Sequence, residues 1–554
     1  MQSLLILFLG VAVVLIGILR YRLPAFLALI SAALLVAFLT PTETILRTEL
    51  GRKALTFAPG DVPGSGALIL SSRYAVHAGM QFVVLGLGEE GQVVERGRLT
   101  AVSMQLVDGQ LRVAVEPADG VPLKLEPGQW VVHPFDLRAA KAHAEETVGE
   151  RVSKSFGTTC GRIGILIALA AVVGKCLLDS GSADRIVRSA LAVVGERGAP
   201  FAFVGTGFLL AIPVFFDTVF YLMMPLGKAM RLRTGRNYLL YILTIVAGGT
   251  MAHSLVPPTP GPLLVAEELG VDMGLMIIVG CIIGLISSSS GFLFASIVNR
   301  RHEIPLRETS EMSLDELQAL AARETHELPP LWLATLPILL PVALIAGQTV
   351  VEEWNILPNQ PLFRYWMDML GHKDIALTLA TILAIGGLIW QKRTGLRALS
   401  EPLGSALASG GTIILITAAG GAFGAMLQDT GITALIERLP STSPTMLLIA
   451  AFLITMAIRT AQGSATVAMI TAVGVLSGFQ DGGTLGCHPV YLAMAIGCGS
   501  KPLAWMNDSG FWVICKMSGM TESEGLRFIT PMSLIMGVVG LLATLVAAAI
   551  WPMV

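Results

Sequence analysis

Charge is scarce in this chain of 554 residues. Asp, Glu, Lys and Arg make up 14% of it, against roughly 25% in soluble domains. Hydrophobic residues make up 54%, and the formal net charge is −2. The composition therefore predicts a polytopic membrane protein in contact with lipid. No basic stripe is available to neutralise phosphates, so a nucleic-acid partner is not expected.

Cysteine is also scarce, and its distribution excludes several chemistries. The six cysteines lie mostly in apolar runs without metal-ligand spacing, so we expect small buried side chains and neither disulfides nor a metal site. No nucleophile–base pair is recognisable, so we predict neither an enzyme nor a cofactor. The run 3–19 lacks a basic start and a cleavage site, which predicts a first membrane helix and not a removed signal peptide.

Long apolar runs are abundant. A bilayer core of about 30 Å needs about 20 apolar residues per helix. Basic residues concentrate in the loops between these runs, and the positive-inside rule then places both termini outside the cytoplasm. The predicted spans are 3–19, 24–40, 201–226, 238–256, 274–298, 331–347, 374–390, 443–458 with 464–478, 488–505 and 529–551.

Two further apolar regions, 161–198 and 403–440, are interrupted by short turns. Each pattern indicates a helix–turn–helix hairpin that enters the membrane, although two short spanning helices fit it as well. The turn Asp179-Ser180-Gly181 recurs as Asp429-Thr430-Gly431, and further polar breaks follow in the same order in both halves. Two halves that carry the same order of elements and enter the membrane from opposite faces are typical of inverted repeats with re-entrant hairpins and broken helices.

One segment departs from the membrane pattern. Residues 45–150 alternate apolar and polar positions, and Asp108-Gly109 between two such runs predicts a β-hairpin. We therefore expect an all-α polytopic membrane protein with a small β-rich soluble insert outside the cytoplasm. A capping box at Ser313 and Glu316 predicts a short helix in the cytoplasmic linker. The expected organisation is two membrane helices in 1–44, the insert in 45–150, the rest of the first repeat in 151–299, the linker in 300–330 and the second repeat in 331–554.

Helix breaks and polar side chains coincide in several apolar stretches. Four prolines follow His253 in MAHSLVPPTPGPLLVA, and a proline inside a helix removes a hydrogen bond and breaks the helix. Irregular backbone at membrane depth is tolerated only inside protein or beside an aqueous cavity, and polar groups there are costly unless paired or solvated. We therefore expect a transport site there. The candidate substrate-binding residues are Asp217, His253, Thr259, Arg459, Gln462, Ser464, Thr466, Lys501, Asn507, Asp508 and Ser509.

Several candidates also have a purely structural interpretation. Asp217 suits a helix cap, whereas Asp179 and Asp429 suit tight turns. Arg459 either pairs with an aspartate or binds an anion, and His253 either titrates during transport or is satisfied by a carbonyl. The titratable candidates for proton coupling are Asp179, Asp217, His253, Asp429 and Asp508.

Four long segments resemble the signature segments of the gluconate permease (GntP) family. They are GKCLLDSGSADRI, HSLVPPTPGPLL, AIRTAQGSATVAMITAVG and GCGSKPLAWMNDSGFW. The resemblance implies a proton-coupled symporter for gluconate or a related sugar acid, within the ion transporter superfamily. It also implies a bacterial inner-membrane protein that forms homodimers. The family commonly has threonine at the position of Gln462 and an apolar or small residue at that of Lys501. Because this chain departs from the family at these two positions, the resemblance predicts a carboxylate substrate without identifying it as gluconate.

Two other functions fit the same pattern. A sodium-coupled carboxylate transporter would use the same broken helices and carbonyls. A membrane sensor would bind its ligand through the insert, but it has little need of paired broken helices.

Overall fold

The computed structural model describes most of the chain. The described residues are 2–21, 23–59, 66–70, 77–88, 92–107, 110–118, 129–307, 327–353, 356–357, 360–393, 395–431, 443–476, 486–506 and 508–553. Asp108-Gly109, the Ser313 capping box, Asn507 and the second limb of the predicted hairpin after Gly431 lie outside them. The chain divides into two compact units. The first unit comprises Met1–Gly10, Ala32–Lys154 and Ala425–Leu439, and the second comprises Val11–Ser31, Ser155–Gly424 and Pro440–Val554.

The first unit contains the β-rich segment. Its strands are β1 (Thr56–Pro59), β2 (Gly66–Leu70), β3 (Gln81–Leu87), β4 (Val93–Val107), β5 (Gln110–Pro117) and β6 (Trp130–Val132). They form one antiparallel sheet in the order β1-β2-β5-β4-β3-β6. The register pairs Val107 with Gln110, so β4 and β5 are adjacent antiparallel strands.

Helices cover one face of this sheet. They are α3 (Thr42–Lys53) and α4 (Pro134–Glu145), and their Leu50 and Ala140 pack with Val83 and Val132 of the sheet. The opposite face has its own core around Phe82. Strand β3 is therefore buried on both faces, which explains its continuous apolar run.

Helices make up the membrane region. They are α1 (Gln2–Leu19), α2 (Ala25–Leu39), α5 (Val148–Asp179), α6 (Ser182–Leu210), α7 (Phe216–Thr234), α8 (Tyr238–Leu255), α9 (Pro260–Glu268), α10 (Met273–Asn299), α11 (Leu331–Glu353), α12 (Pro361–Gly371), α13 (Lys373–Lys392), α14 (Ser400–Asp429), α15 (Pro444–Gln462), α16 (Ala465–Leu476), α17 (Pro489–Gly499), α18 (Ser509–Ser518) and α19 (Glu522–Ile550). Within the described ranges, eight helical segments are long and apolar enough to cross a membrane. The expected all-α polytopic fold with a small sheet is confirmed.

The second unit repeats one order of elements. In the first half α6 breaks before α7, α8 breaks before α9, and α10 follows; in the second half α15 breaks before α16, α17 breaks before α18, and α19 follows. The preceding hairpin turns also match: Gly181 and Gly431 have φ of 76° and 72°, a left-handed conformation that glycine adopts without strain. Both turns therefore need glycine as the third residue of the recurring tripeptide.

Two features of the membrane region differ from the prediction. The span expected at 201–226 is interrupted, because α6 ends at Leu210 and α7 begins at Phe216; Pro213 cannot donate a backbone hydrogen bond there. The span expected at 488–505 ends early, at Gly499, before Pro502. The sequence analysis also missed α12, which carries exposed Leu362, Tyr365 and Trp366.

Candidate functional site

Four helix N-termini meet at one cavity in the second unit. The cavity has a volume of about 340 Å³, near the lower end of the roughly 300–1,000 Å³ typical of small-molecule sites. The first residues of α7, α9, α16 and α18 line it. Helix N-termini carry partial positive charge, which favours an anion, although Pro260 and Pro262 of α9 have no N–H and the Gly510 amide of α18 donates to Asp508. The lining residues at these N-termini are Phe215, Phe216, Asp217, Pro260, Ser464, Ala465, Thr466, Val467, Asp508, Ser509 and Gly510.

The break between α8 and α9 is held by Thr259. Its hydroxyl donates to the carbonyl of His253 at 2.9 Å and to that of Val256 at 2.8 Å. These carbonyls lie near the end of α8, where the backbone lacks helical partners. Thr259 is buried and is not among the residues that line the cavity. The structure thus places this predicted substrate-binding residue in the support of the break.

Arg459 joins the two breaks of the second repeat. Its Nε donates to the carbonyl of Ser500 at 3.0 Å, and Nη1 donates to the carbonyl of Gly463. Nη2 forms an ion pair with Asp508. Arg459 is only 4% exposed, so all three nitrogens of the guanidinium are used inside the protein. Of its two predicted roles, the structure shows the ion pair with an aspartate.

The segment between α17 and α18 is also fixed by α19. The backbone amide of Ala504 donates to the Ser533 hydroxyl at 3.1 Å, and the Thr530 hydroxyl donates to the carbonyl of Ala504 at 2.6 Å. Asp508 caps α18, because its Oδ1 accepts from the Gly510 amide at 2.9 Å. These contacts satisfy backbone groups that the break leaves without helical partners.

Two charged side chains of the cavity wall have no ion pair among the described residues. Lys501 is 7% exposed, and Asp217 lies half-buried in the first turn of α7. Gly510 separates Asp217 from Asp508: a Cβ atom at Gly510 would lie 3.4 Å from Asp508 Oδ1 and 3.7 Å from Asp217 Oδ1. Arg459 and Asp508 therefore pair with each other, whereas Lys501 and Asp217 have no ion-pair partner in the part of the chain that the structure describes.

Hydrogen-bonding side chains complete the wall. His253 lines the cavity, its ring contacts Phe215 edge-on, and its buried Nδ1 has no hydrogen-bond partner among the described residues. Ser464, Thr466 and Ser509 line it as predicted candidates. The sequence analysis missed Thr250, Thr417 and Ser533. They lie inside helices with no break in the backbone at their positions, and only the packing of those helices brings them to the cavity.

The structure places four other candidates elsewhere or outside the described residues. Gln462 is buried at the end of α15, where its amide donates to the Ser464 carbonyl at 3.4 Å. Asp179 pairs with Lys175 at 3.0 Å on the same helix. Asp429 belongs to the first unit, and Asn507 lies outside the described residues.

Comparison with known proteins identifies the family. Residues 139–550 match the GntP family permease. The gluconate permease of Pseudomonas aeruginosa is 33% identical over 432 residues, which cover 76% of this chain and 94% of that protein. The inner membrane permease YgbN of Escherichia coli K12 is 31% identical over 404 residues, covering 72% of this chain and 88% of that protein. The crystal structure of the Alcanivorax borkumensis YdaH transporter aligns with a TM-score of 0.50 at 14% identity, over 85% of this chain and 94% of that one.

The fold and these matches together define a multi-pass membrane transporter. The chain belongs to the GntP permease family. The resemblance found in the four sequence segments and the expected membrane localisation are thereby confirmed. The likeness to the YdaH transporter concerns the fold alone.

Proposed function

We propose that the chain imports a gluconate-like sugar acid across the bacterial inner membrane together with protons. The observation that carries this proposal is the buried Lys501, which has no ion pair within the described ranges and lines a cavity on which four helix N-termini converge. A buried cation without a counter-charge is costly in a protein interior. A carboxylate provides that counter-charge, and the names of the two relatives, a gluconate permease and an inner membrane permease, support both the substrate and the location.

The binding mode follows from the distribution of donors. The substrate carboxylate lies between Lys501 and the N-terminal amides of α16, where charge-assisted hydrogen bonds are strongest. The hydroxyls of Ser464, Thr466 and Ser509 and the imidazole of His253 face the hydroxylated carbons. Arg459 acts as a positioning residue, because its nitrogens hold the two breaks together.

Coupling to protons follows from the charges in the wall. Without substrate, the charges of Lys501 and Asp217 sum to zero, and the Arg459–Asp508 pair is neutral. A monocarboxylate adds one negative charge, and a proton on Asp217 restores neutrality. One proton therefore accompanies each monocarboxylate through the alternating-access change. We also propose that the protein forms homodimers and that the 45–150 insert lies outside the cytoplasm.

Uptake into proteoliposomes tests the binding mode. Labelled gluconate and a panel of hydroxylated C3–C6 acids are offered to wild-type protein, Lys501→Met and Lys516→Met. Lys516 lies on α18 and is exposed, so it is the matched control. We expect Lys501→Met to raise KM for the preferred acid roughly 10- to 100-fold, which corresponds to one hydrogen bond to a charged group.

Thermal stability distinguishes a variant that has lost substrate binding from one that has lost its fold. Removal of a buried unpaired charge leaves the apparent Tm unchanged or raises it. A well-folded Lys501→Met protein with the KM of the wild type would contradict the proposed role of Lys501. Absence of uptake of every acid by wild-type protein, with or without sodium, would overturn the proposed function itself.

A further inference from the structure

We propose that Glu49, His143 and Asp429 form a binding site for a divalent transition metal ion, with zinc as the best match. The three residues lie in the first unit, on α3, on α4 and at the end of α14. One ligand atom from each lies within 4.8 Å of the other two. Imidazole and carboxylate are the typical nitrogen and oxygen ligands of zinc. The wide separation of these positions along the chain explains why no metal spacing was recognisable in the sequence.

The distance between His143 and Asp429 fits two ligands of one ion. His143 Nε2 lies 3.4 Å from Asp429 Oδ2. In tetrahedral zinc sites with metal–ligand bonds of about 2.0–2.1 Å, neighbouring ligand atoms are about 3.3–3.4 Å apart. A typical N–H···O hydrogen bond is shorter, at about 2.9–3.0 Å. The observed spacing therefore suits a shared ion better than a direct hydrogen bond.

An unsatisfied atom points independently to a ligand. Asp429 is only 3% exposed, and its Oδ2 is buried without a hydrogen-bond partner. A buried carboxylate oxygen with no donor is costly, and a metal ion at this position removes that cost. Among the described residues this oxygen accepts no hydrogen bond, and its contacts are the ion pairs with His143 at 3.4 Å and Arg151 at 3.6 Å.

A second layer of contacts prepares His143 for coordination. Glu146 Oε2 lies 2.9 Å from His143 Nδ1, and Lys154 donates to Glu146 Oε1 at 2.6 Å. A hydrogen bond from Nδ1–H to Glu146 leaves Nε2 as the ligand atom, as in the carboxylate–histidine pairs of zinc proteins.

The neighbouring cations are compatible with an ion. Arg151 Nη1 lies 3.6 Å from Asp429 Oδ2, beyond hydrogen-bonding distance, and its Nη2 is held by the carbonyl of Ala37 at 3.0 Å. Arg52 and Lys53 pair with Glu49 through its two oxygens at 3.0 and 3.2 Å, and each carboxylate oxygen retains a further lone pair. The two carboxylates would be shared between the ion and these cationic side chains, and water would complete the coordination.

The site lies partly outside the family region. The family match begins at residue 139, so it includes His143 and Asp429 but not Glu49. A metal ion bound here joins α3, which precedes the sheet, to the turn that ends α14. The predicted consequence is a protein that zinc stabilises against heat.

Zinc binding to the purified full-length protein tests this inference. Bound zinc is counted after equilibrium dialysis, and the apparent Tm is recorded with zinc and with a chelator. The test variants are His143→Gln and Glu49→Gln, and the matched controls are the exposed His372→Gln and Glu145→Gln. We expect one zinc per wild-type chain, at least a tenfold weaker affinity in both test variants, and no change in the controls.

Two results would overturn the inference. One is wild-type protein that binds no zinc at about 100 μM, a concentration at which a site of micromolar Kd is filled. The other is zinc binding by both test variants that equals that of the controls, which indicates adventitious surface binding. Elution of the metal-free test variants at the wild-type volume in size-exclusion chromatography shows that they are folded.

Discussion

The guanidinium of Arg459 and the carboxylate of Asp508 form an ion pair between the ends of two broken helices. The same guanidinium holds the carbonyls of Gly463 and Ser500, and the same carboxylate caps α18. This pair therefore fixes both breaks of the second repeat relative to each other. It leaves Lys501 as the cation of the cavity that is available to a substrate.

Substitution of Arg459 is predicted to destabilise the protein severely. Arg459→Gln removes three contacts and leaves Asp508 as a buried charge without its partner, which costs about 3–5 kcal/mol. Asp508→Asn keeps an oxygen to cap Gly510 and is expected to cost less. Thermal unfolding in detergent measures both, and an apparent Tm of Arg459→Gln equal to that of the wild type would contradict the assigned role.

Neutralisation of Asp217 is predicted to uncouple transport from protons. Asp217→Asn keeps the size of the side chain and mimics its protonated form. Exchange of labelled for unlabelled substrate should continue, because the binding groups remain, whereas accumulation driven by a pH gradient should be lost. Asp374→Asn, in the first turn of α13 and not among the residues that line the cavity, serves as the control. Gradient-driven accumulation by Asp217→Asn at the wild-type level would assign the proton to another residue.

Two threonines of the predicted site should respond differently to the same substitution. Thr466→Val removes a hydroxyl from the cavity wall and should raise KM roughly 2- to 10-fold, which matches one neutral hydrogen bond of about 0.5–1.5 kcal/mol. Thr259→Val removes the support of the α8–α9 break and should lower the apparent Tm with KM nearly unchanged. The reverse pattern in uptake and melting measurements would show that the two roles are exchanged.

Close packing between α14 and α16 depends on glycine. A Cβ atom at Gly424 would lie 2.8 Å from the Cα atom of Gly474, whereas one at Gly411 on the same helix meets nothing within 4 Å. Gly424→Ala therefore forces the helices apart, and overpacking of this kind costs typically about 1–3 kcal/mol. Gly411→Ala should be neutral or slightly stabilising. Equal melting temperatures for the two variants would contradict this packing.

Local signals in the sequence predicted much of the fold. Apolar length located most spans, Asp-Ser-Gly located the turn between α5 and α6, Asp-Thr-Gly located the turn that ends α14, and prolines located the break after His253. Pro213 together with Asp217 indicated a broken segment before Phe216, although apolar length alone reads 201–226 as one span. Composition over a window does not reveal where one proline ends a helix.

The site could be predicted only in part from the sequence, because its arrangement depends on contacts between residues that are distant in the chain. The sequence marked Arg459, Asp508 and Lys501 as polar residues in apolar surroundings, but not that Arg459 pairs with Asp508 and leaves Lys501 unpaired. Thr417 and Ser533 reach the cavity only through helix packing. Glu49 and Asp429 likewise come close to each other only in the folded protein, because they are far apart in sequence.

The most direct test of the account separates the two components of the proton-motive force. Proteoliposomes with wild-type protein are given either an inward pH gradient at zero membrane potential or a membrane potential without a pH gradient, each with and without sodium. One proton per monocarboxylate moves no net charge, so the account predicts accumulation of gluconate-like acids with the pH gradient alone and no response to the potential. Accumulation that follows the membrane potential or requires sodium would contradict it.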